Sequence, residues 1–300
     1  NTTIGTLGYF RNGKKINDFI LTTPAYEELY KYGSSRNNSN IYVFEASSHA
    51  LAQNRLRQYP IDVAAITNIT NDHLDYHKNI FEYKKAKIKL FTNYLKLNGT
   101  AVINSRIKQL SSLNKNLLRK KIKKIYFGKK NVFFQKKENF FELNIYKKKY
   151  ILKKLKLGTA IELENLECAI ACCLALKINQ NKIIKILPNI KNPPGRLQKI
   201  IYKKKNSVIF VDYAHTPDAL MRTLKSLKVN NNKPVLVFGC GGDRDKSKRK
   251  KMGIIAKNLA CKTYITDDNP RNENASKIRK TILKYCPTGI EIPNRRKAII

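Results

Sequence analysis

Several residue types are scarce in this 300-residue chain. It has no tryptophan, two methionines, four histidines, and only 21 acidic residues against 60 basic ones. No apolar run approaches the length of a membrane span, and the start has neither a signal-peptide pattern nor an initiator methionine. The six cysteines form no Cys-x-x-Cys pair and no zinc-site spacing with the histidines. These absences predict a cytosolic chain that lacks its true start, with reduced thiols and no membrane association.

The excess of basic residues gives a formal net charge of +39, which would suit a nucleic-acid or membrane partner. The lysines are nevertheless scattered through every segment, and lysine far outweighs arginine, as an AT-rich coding bias would produce. The denser clusters at 119–124, 147–154 and 203–205 show no aromatic stacking pattern and match no nucleic-acid motif. A solvated basic face is therefore the favoured interpretation. A basic nucleic-acid-binding protein remains the alternative on charge alone.

The chain length and a proline- and glycine-rich interruption predict two domains. An apolar content of 42% is ordinary for a globular protein, and 300 residues can hold two cores. Pro193-Pro194-Gly195-Arg196 interrupts the chain, and a new strand–helix alternation follows it. We therefore place the boundary near Gln198, between domains at 1–198 and 199–300. The alternation predicts a parallel, doubly wound α/β sheet that begins with a strand at 208–211.

Local signals predict several elements of the first domain. Asn12-Gly13 is typical of a hairpin turn. In Thr22-Thr23-Pro24, a threonine is expected to cap the helix that follows, with Pro24 in its first turn. Aromatic residues alternate with lysines over 132–154, which predicts antiparallel hairpins.

The stretch from Thr67 to Leu95 concentrates potential chemistry. An apolar strand at 63–69 precedes Asn71-Asp72-His73, which places polar, potentially metal-binding groups just past a strand end. At about 100° per residue, the following helix has one broad apolar arc. The arc comprises Ile80, Phe81, Tyr83, Ala86, Ile88, Leu90, Phe91, Tyr94 and Leu95. Lys87 falls near its middle and Lys89 outside it, so Lys87 needs a partner or a modification unless its stem carries the charge into solvent.

Three other sites can be considered from the residues. His73 and His77, spaced i, i+4, could bind zinc on a helix, but no third ligand is spaced nearby and Asn71-Asp72 indicates a loop. Asp212 and His215 could belong to a hydrolase triad, but the chain has no Gly-x-Ser-x-Gly elbow. The glycine-rich turn at 239–244 lacks the third glycine of a dinucleotide fingerprint. None of the three is favoured.

A set of longer motifs resembles the Mur ligase family. The motifs are FEASSHALAQNRL (44–56), TNITNDHLDYH (67–77), VDYAHTPDAL (211–220), FGCGGDRDKSKRKKMG (238–253) and DDNPR (267–271). They occur in the family's order across most of the chain, so together they are far more specific than any one alone. The resemblance implies a central ATPase-type domain and a Rossmann-like C-terminal domain, both incomplete. The family's UDP-binding domain and Gly-Lys-Thr loop should precede residue 1, and a Gly-Lys-Gly-His-Glu motif should follow residue 300.

The resemblance also implies an activity. The motifs are most similar to those of Mur ligases that use ATP and Mg²⁺ to add meso-diaminopimelate to UDP-N-acetylmuramoyl-L-alanyl-D-glutamate through an acyl phosphate. That reaction builds peptidoglycan and so serves cell-wall growth, cell shape and division. A cytoplasmic monomer is implied, with no activity expected from these 300 residues alone. A lysine-adding Mur ligase and a folylpolyglutamate-synthase-like ligase are the alternatives, and an inactive remnant is a further one.

Individual residues receive roles from the resemblance. The catalytic residues and Mg²⁺ ligands are Glu45, His73 and Lys87, the last as N6-carboxylysine, a carbamate formed with CO2. Contacts to the UDP-linked substrate are Thr22, Thr23, Ser47, Gln53 and Arg55. Contacts to ATP are Asn165, Arg196, Asp212 and His215, and contacts to meso-diaminopimelate are Arg244, Asp268, Asn269, Pro270 and Arg271. Leu21 and Glu162 stand where the family often has asparagine.

Overall fold

The computed structural model describes residues 1–33, 41–70, 73–107, 110–119, 121–202, 207–229 and 232–300. Asn71, Asp72 and the lysine cluster at 203–205 therefore lie outside the described residues. The chain forms two compact units, one of residues 1–69, 76–133 and 168–179, the other of residues 70–75, 134–167 and 180–300. The boundary at Gln198 stays a prediction. Within the described ranges, no helix has both the length and the apolar character needed to cross a bilayer.

The first unit contains the early strands and helices. They are β1 (Thr2–Gly5), β2 (Gly8–Arg11), β3 (Lys14–Asn17), α1 (Tyr26–Gly33), β4 (Tyr42–Phe44), α2 (Ser48–Ala52), β5 (Ile61–Ile66), α4 (Ile80–Lys89), β6 (Leu95–Asn104), α5 (Ser111–Arg119) and β7 (Lys123–Phe127). The four-residue helix α3 (Leu74–His77) precedes α4, and a π-helical turn (Leu90–Tyr94) follows it. Strand β8 (Val132–Lys136) carries the boundary between the units.

A small sheet with the order β3-β2-β1-β4 opens the first unit. The predicted hairpin turn is confirmed, because Asn12 and Gly13 join antiparallel β2 and β3 with φ values of 49° and 80°. Strands β1 and β4 pair in parallel, so their carboxyl ends lie side by side. The prediction that one of the two threonines caps α1, with Pro24 in the first turn, is wrong. The helix begins at Tyr26, and the Thr23 hydroxyl is used in a long-range bond to the Glu45 carbonyl.

Strand β6 pairs in parallel with β5 on one side and β7 on the other. The helical arc packs here through its second half, where Tyr83, Ala86, Phe91 and Tyr94 are buried. The arc is wrong at its start, because the side chains of Ile80 and Phe81 are 41% and 68% exposed. These two residues form the first turn of α4, ahead of the turns that pack. The prediction also fails at Leu95, which begins β6.

The second unit contains β9 (Phe141–Ile145), β10 (Lys148–Leu152), β11 (Gln198–Tyr202), β12 (Ser207–Val211), β13 (Val235–Phe238), β14 (Lys262–Ile265) and β15 (Ile290–Glu291). Its helices include α7 (Gln180–Ile186), α8 (Pro217–Leu227), α9 (Ser247–Leu259), α10 (Ala275–Leu283) and α11 (Arg295–Ile299), and α6 (Ala160–Ala175) begins in it. Strands β9 and β10 form an antiparallel hairpin, as the alternating pattern predicted.

Three parallel strands, in the order β13-β14-β15, form a sheet in the second unit. Met252, Ala256, Ile265 and Ile282 are fully or almost fully buried in its core. The strand at 208–211 was expected to start this sheet, and that expectation is wrong. As β12 it pairs antiparallel with β11 in a separate two-stranded sheet. The partner nearest in sequence closes the smallest loop, which favours this local pairing.

Candidate active site

Glu45 lies at the carboxyl ends of two parallel strands, immediately after β4 and next to the end of β1. The Thr6 backbone N–H and hydroxyl both donate to Glu45 Oε2, at 3.1 and 2.8 Å. The Thr23 hydroxyl donates to the Glu45 carbonyl at 2.6 Å and accepts the Ser47 N–H at 2.9 Å. Strand ends of this kind are where α/β sheets keep ligand sites. Three segments of the chain, which carry Thr6, Thr23 and Glu45–Ser47, are thereby fixed together at one strand end.

The other residues expected to contact the UDP-linked substrate join this cluster. Arg55 Nη1 donates to the Thr23 carbonyl at 3.2 Å, and Arg55 Nε donates to Gln53 Oε1 at 2.7 Å. The hydroxyls of Thr22 and Thr6 are 3.4 Å apart. The structure thus brings together Glu45 and the expected contacts Thr22, Thr23, Ser47, Gln53 and Arg55. Sequence reasoning missed Thr6, whose position past a strand end becomes visible only once β1 is paired with β4.

Ser47 has two functions in the local structure. Its side-chain oxygen accepts the Ala50 N–H at 3.2 Å, which caps α2 in the way that a serine before a helix commonly does. Its backbone N–H is held by Thr23, so the cap is tied to the Glu45 cluster. Helix capping and substrate contact are therefore compatible interpretations of this residue.

Lys87 is half-buried, and its ammonium group has protein partners. Lys87 Nζ donates to the Asn68 carbonyl at 3.2 Å and lies 4.9 Å from the centre of the Tyr83 ring. Asn68 follows β5, so the lysine reaches back to a strand end. The ammonium is therefore held in a polar and aromatic setting. Lys89, two residues on, makes only a long 3.5 Å contact to Asn54 Oδ1 among the contacts resolved here.

The two histidines do not form a helical zinc pair. His73 precedes α3 with a φ of 52°, outside the helix, whereas His77 lies at the helix end. His77 is buried, and its Nε2 is 3.0 Å from the Ser48 hydroxyl oxygen. Across the described part of the chain, no group of three or more His, Cys, Asp or Glu side chains could hold a metal ion.

The donor types decide how well a magnesium ion would fit. Mg²⁺ prefers oxygen ligands, which Glu45 supplies as a carboxylate. An ammonium group has no lone pair to offer, so Lys87 would fit only after carbamylation, which gives it carboxylate-like oxygens. His73 would add a nitrogen ligand, which is unusual for this ion. The set therefore suits Mg²⁺ on the condition that Lys87 is modified.

Three of the four residues expected at ATP lie together in the second unit. The Arg196 guanidinium is 4.6 Å from the centre of the Tyr213 ring, and the His215 ring packs against the same tyrosine at 5.2 Å. Asp212 accepts the N–H groups of Leu197 and Ala214, at 2.8 and 2.9 Å. The carboxylate thus ties the turn that carries Arg196 to the end of β12. Arg196 and His215 consequently flank one exposed aromatic ring.

The fourth residue, Asn165, is exposed on α6, one turn after Glu162. Glu162 has a structural use at the helix start: its Oε2 accepts the N–H groups of Gly158 and Thr159 at 2.9 and 2.8 Å. Thr159 Oγ1 in turn accepts the Glu162 N–H at 3.3 Å, which completes a capping box. The carboxylate that departs from the family pattern is therefore engaged in holding α6.

The loops after β13 and β14 lie against each other, as expected for neighbouring parallel strands. The Gly242 N–H donates to the Asn269 carbonyl at 2.9 Å, and Arg271 Nη1 donates to the Gly242 carbonyl at 2.6 Å. A Cβ atom at position 242 would lie 1.8 Å from the Pro270 carbonyl oxygen, so only glycine fits there. Asp268 Oδ1 accepts the Asn269 N–H at 2.8 Å. The residues at 268–271 are thereby brought beside the glycine-rich turn.

Arg244, on the glycine-rich turn, is half-exposed. It makes a long ion pair of 3.5 Å with Asp75. Arg271 is exposed. Its guanidinium has five N–H donors, and one of them donates to the Gly242 carbonyl.

Comparisons with known proteins agree with the motifs. Residues 2–173 match the model of the Mur ligase middle domain, and residues 195–300 match that of the Mur ligase glutamate ligase domain. The chain belongs to the Mur ligase family. The predicted fold class, with middle and C-terminal Mur ligase domains, is confirmed.

Individual Mur ligases are similar over nearly all of the chain. The UDP-N-acetylmuramoyl-L-alanyl-D-glutamate–2,6-diaminopimelate ligase of Rickettsia montanensis is 38% identical over 312 residues, covering 99% of this chain and 64% of the relative. A solved structure of a ligase with the same name is 30% identical with a TM-score of 0.64, covering 99% of this chain and 63% of that one. The chain thus spans slightly less than two thirds of the length of these relatives.

A solved structure of lower sequence identity shares the fold. The Mycobacterium tuberculosis folylpolyglutamate synthase complexed with ADP has a TM-score of 0.69 at 18% identity, covering 87% of this chain and 60% of that one. At this identity the likeness concerns the fold alone.

Proposed function

We propose that this chain is the central and C-terminal part of an ATP-dependent ligase that joins meso-diaminopimelate to UDP-N-acetylmuramoyl-L-alanyl-D-glutamate. The observation that carries the proposal is the 38% identity, over 99% of the chain, to a ligase named for this reaction. The arrangement of the strand-end clusters in each unit supports it. The reaction consumes ATP and a UDP-linked precursor, so it belongs in the cytoplasm, and a monomer suffices for it.

The proposed chemistry has two steps. An oxygen of the D-glutamate side-chain carboxylate attacks the γ-phosphorus of ATP, which releases ADP and leaves an acyl phosphate. The amine of meso-diaminopimelate then attacks the acyl carbon, an amide bond forms, and phosphate departs with the carboxylate oxygen that attacked. Catalysis of such a transfer consists mainly of positioning the reactants and stabilising charge.

The segments around Glu45, His73 and Lys87 would bind the carboxylate substrate and the metal. Glu45, His73 and carbamylated Lys87 would hold Mg²⁺, which when bound neutralises charge that develops on the transferred phosphoryl group. The planar guanidinium of Arg55 presents several N–H donors, which suit the anionic groups of the UDP-linked substrate. The fixed hydroxyls of Thr22, Thr23 and Ser47, and the Gln53 amide, would orient the peptide part.

The second unit would bind ATP and the incoming amino acid. Arg196 provides a permanent charge for the phosphates, with Asn165, Asp212 and His215 as further contacts to the nucleotide. Arg244 and Asp268–Arg271 would form the amino-acid site, with Arg271 reading the distal carboxylate.

The test is product formation by the completed ligase, by which we mean this chain joined to the flanking segments of its Rickettsia relative. We expect one amide product and one ADP per turnover, detected by mass spectrometry, with loss of product when ATP, Mg²⁺, the dipeptide substrate or meso-diaminopimelate is left out. Glutamate addition to a folate would instead favour the folylpolyglutamate-type alternative. No turnover with any of these substrates would indicate an inactive remnant.

The alternative from another class is a basic nucleic-acid-binding protein. It predicts tight binding to unrelated duplexes with a steep loss of affinity as salt rises. The ligase proposal predicts no such binding at physiological salt. A titration of fluorescent duplex DNA at several salt concentrations separates the two.

A further inference from the structure

Arg249 is a buried arginine of α9 that the proposed mechanism does not use. Its side chain is 5% exposed. Arg249 Nη1 and Nη2 donate to the two carboxylate oxygens of Glu273, at 3.0 and 2.7 Å. This two-point arrangement fixes both the distance and the orientation of the pair.

Glu273 connects three segments of the second unit. It lies two residues after Arg271, on the loop that follows β14. Its Oε1 also accepts the Asp243 N–H at 2.7 Å, on the loop that follows β13. The Asn272 N–H also donates to Asp243 Oδ2 at 3.0 Å, in addition to the bonds between the two loops described above. One carboxylate therefore joins α9 to both of the loops on which the amino-acid-binding residues lie.

The stability of the fold does not explain this pair well. Arg249 Nε is buried and has no hydrogen-bond partner among the described residues, which costs free energy. Buried ion pairs can often be replaced by apolar residues of similar volume with little loss or even a gain in stability. A buried pair with an orphaned donor is therefore better explained by what it positions.

The pair also stays ionised under ordinary conditions. The hydrogen bonds from Arg249 and from the Asp243 N–H lower the pKa of Glu273 from 4.5 to about 2. Because the folded-state pKa is depressed, the pair's contribution to stability is present above pH 4.5 and is lost only as the pH falls toward 2. The contact is thus a permanent connection at physiological pH.

We propose that Arg249 and Glu273 are positioning residues for the amino-acid site: they hold the two loops at the spacing that lets Arg244 and Asp268–Arg271 engage one amino acid together. Neither residue touches the amino acid. The proposal rests on the proposed function for the identity of the ligand, whereas the loop connection itself rests on the contacts above.

The kinetic test uses Arg249→Met, Arg249→Lys and the matched control Lys251→Met, an exposed lysine of the same helix, in the completed ligase. Misplacing the loops should raise the KM for meso-diaminopimelate between about tenfold and a hundredfold in Arg249→Met. The KM values for ATP and for the UDP-linked substrate should change less than about twofold, because the loops do not carry those contacts. Arg249→Lys keeps the charge without the two-point grip and should give an intermediate value. Lys251→Met should match the wild type.

Two kinetic results would overturn the proposal. An unchanged KM for the amino acid in Arg249→Met is one. Equal rises in all three KM values together with a lower melting temperature, the signature of a merely structural residue, is the other. If Arg249→Met fails to fold, the double variant Arg249→Met/Glu273→Met removes both charges at once and is read by the same criteria.

A second measurement separates this proposal from the proposed function. Hydrogen–deuterium exchange is followed in this 300-residue chain at the amides of 239–246 and 267–273. Exchange at both loops should accelerate in Arg249→Met and remain as in the wild type in Lys251→Met. Unchanged exchange in Arg249→Met contradicts the positioning role whether or not the wild-type ligase is active. Accelerated exchange with an inactive wild type contradicts only the proposed function.

Discussion

Replacing Lys87 with alanine in the completed ligase should lower kcat for amide formation by a factor of about a hundred to a thousand. Losing one group that stabilises charge in the transition state typically has an effect of that size. Lys87 is half-buried, and its Nζ contacts the Asn68 carbonyl and the Tyr83 ring, so the side chain is held in one place. A carbamate at this position would turn that fixed cation into a fixed anion facing the metal. Steady-state kinetics at saturating substrates would measure the loss.

Lys89→Ala is the matched control for this prediction. Lys89 is on the same helix, and its ammonium group contacts Asn54 at 3.5 Å, outside the proposed metal site. We expect a change of less than about twofold, as for most surface substitutions. A second readout is the carbamate itself, which ¹³C-labelled bicarbonate would reveal by NMR in the control and not in Lys87→Ala. Equal kinetic losses in the two variants would show that Lys87 has no special role.

We expect Arg271→Ala to cause the largest change in specificity between meso-diaminopimelate and L-lysine. Meso-diaminopimelate differs from L-lysine by a carboxylate at its far end, and a guanidinium can bind such a group through two hydrogen bonds. Arg271 is oriented by its bond to the Gly242 carbonyl, and we propose that the nearby Asp268 and Asn269 bind the neighbouring ammonium group. Once a bound amino acid shields this guanidinium from water, leaving it unpaired costs several kcal/mol, so wild-type discrimination against lysine should be on the order of a thousandfold.

The ratio of kcat/KM for meso-diaminopimelate to that for L-lysine measures this discrimination. Arg271→Ala should lower the ratio to about ten or less, chiefly through poorer use of meso-diaminopimelate. Arg11→Ala, at an exposed arginine of β2 in the other unit, serves as the control and should keep the wild-type ratio. Comparable wild-type values for the two amino acids would favour a lysine-adding ligase. An unchanged ratio in Arg271→Ala would mean that another residue reads the carboxylate.

The features that could be predicted from sequence depend on residues close together in the chain or on the order of neighbouring strands. The Asn12-Gly13 turn needs only two residues with left-handed backbone, and the position of Lys87 follows from helical periodicity. The meeting of the Gly242 and Asn269 loops follows because adjacent parallel strands end at the same edge of a sheet.

The parts that could not be predicted are long-range pairings. Thr6 and Glu45 are 39 residues apart, and nothing local marks Thr6 as the donor to that carboxylate. Thr23 had a plausible local role as a helix cap, but its hydroxyl instead donates to the Glu45 carbonyl, which is distant in sequence. With 60 basic residues available, sequence could not indicate that Arg249 rather than a neighbouring lysine binds Glu273. Strand β12 was misplaced because alternation of elements does not say which strand pairs with which.

An isotope-transfer measurement on the completed ligase tests the acyl-phosphate mechanism most directly. The UDP-linked dipeptide is labelled with ¹⁸O in both oxygens of its D-glutamate side-chain carboxylate and is supplied with ATP, Mg²⁺ and meso-diaminopimelate. An acyl-phosphate ligase places one ¹⁸O atom in each released phosphate and leaves the other in the new amide, and this is the result we predict. Unlabelled phosphate, or label recovered in AMP, would contradict it.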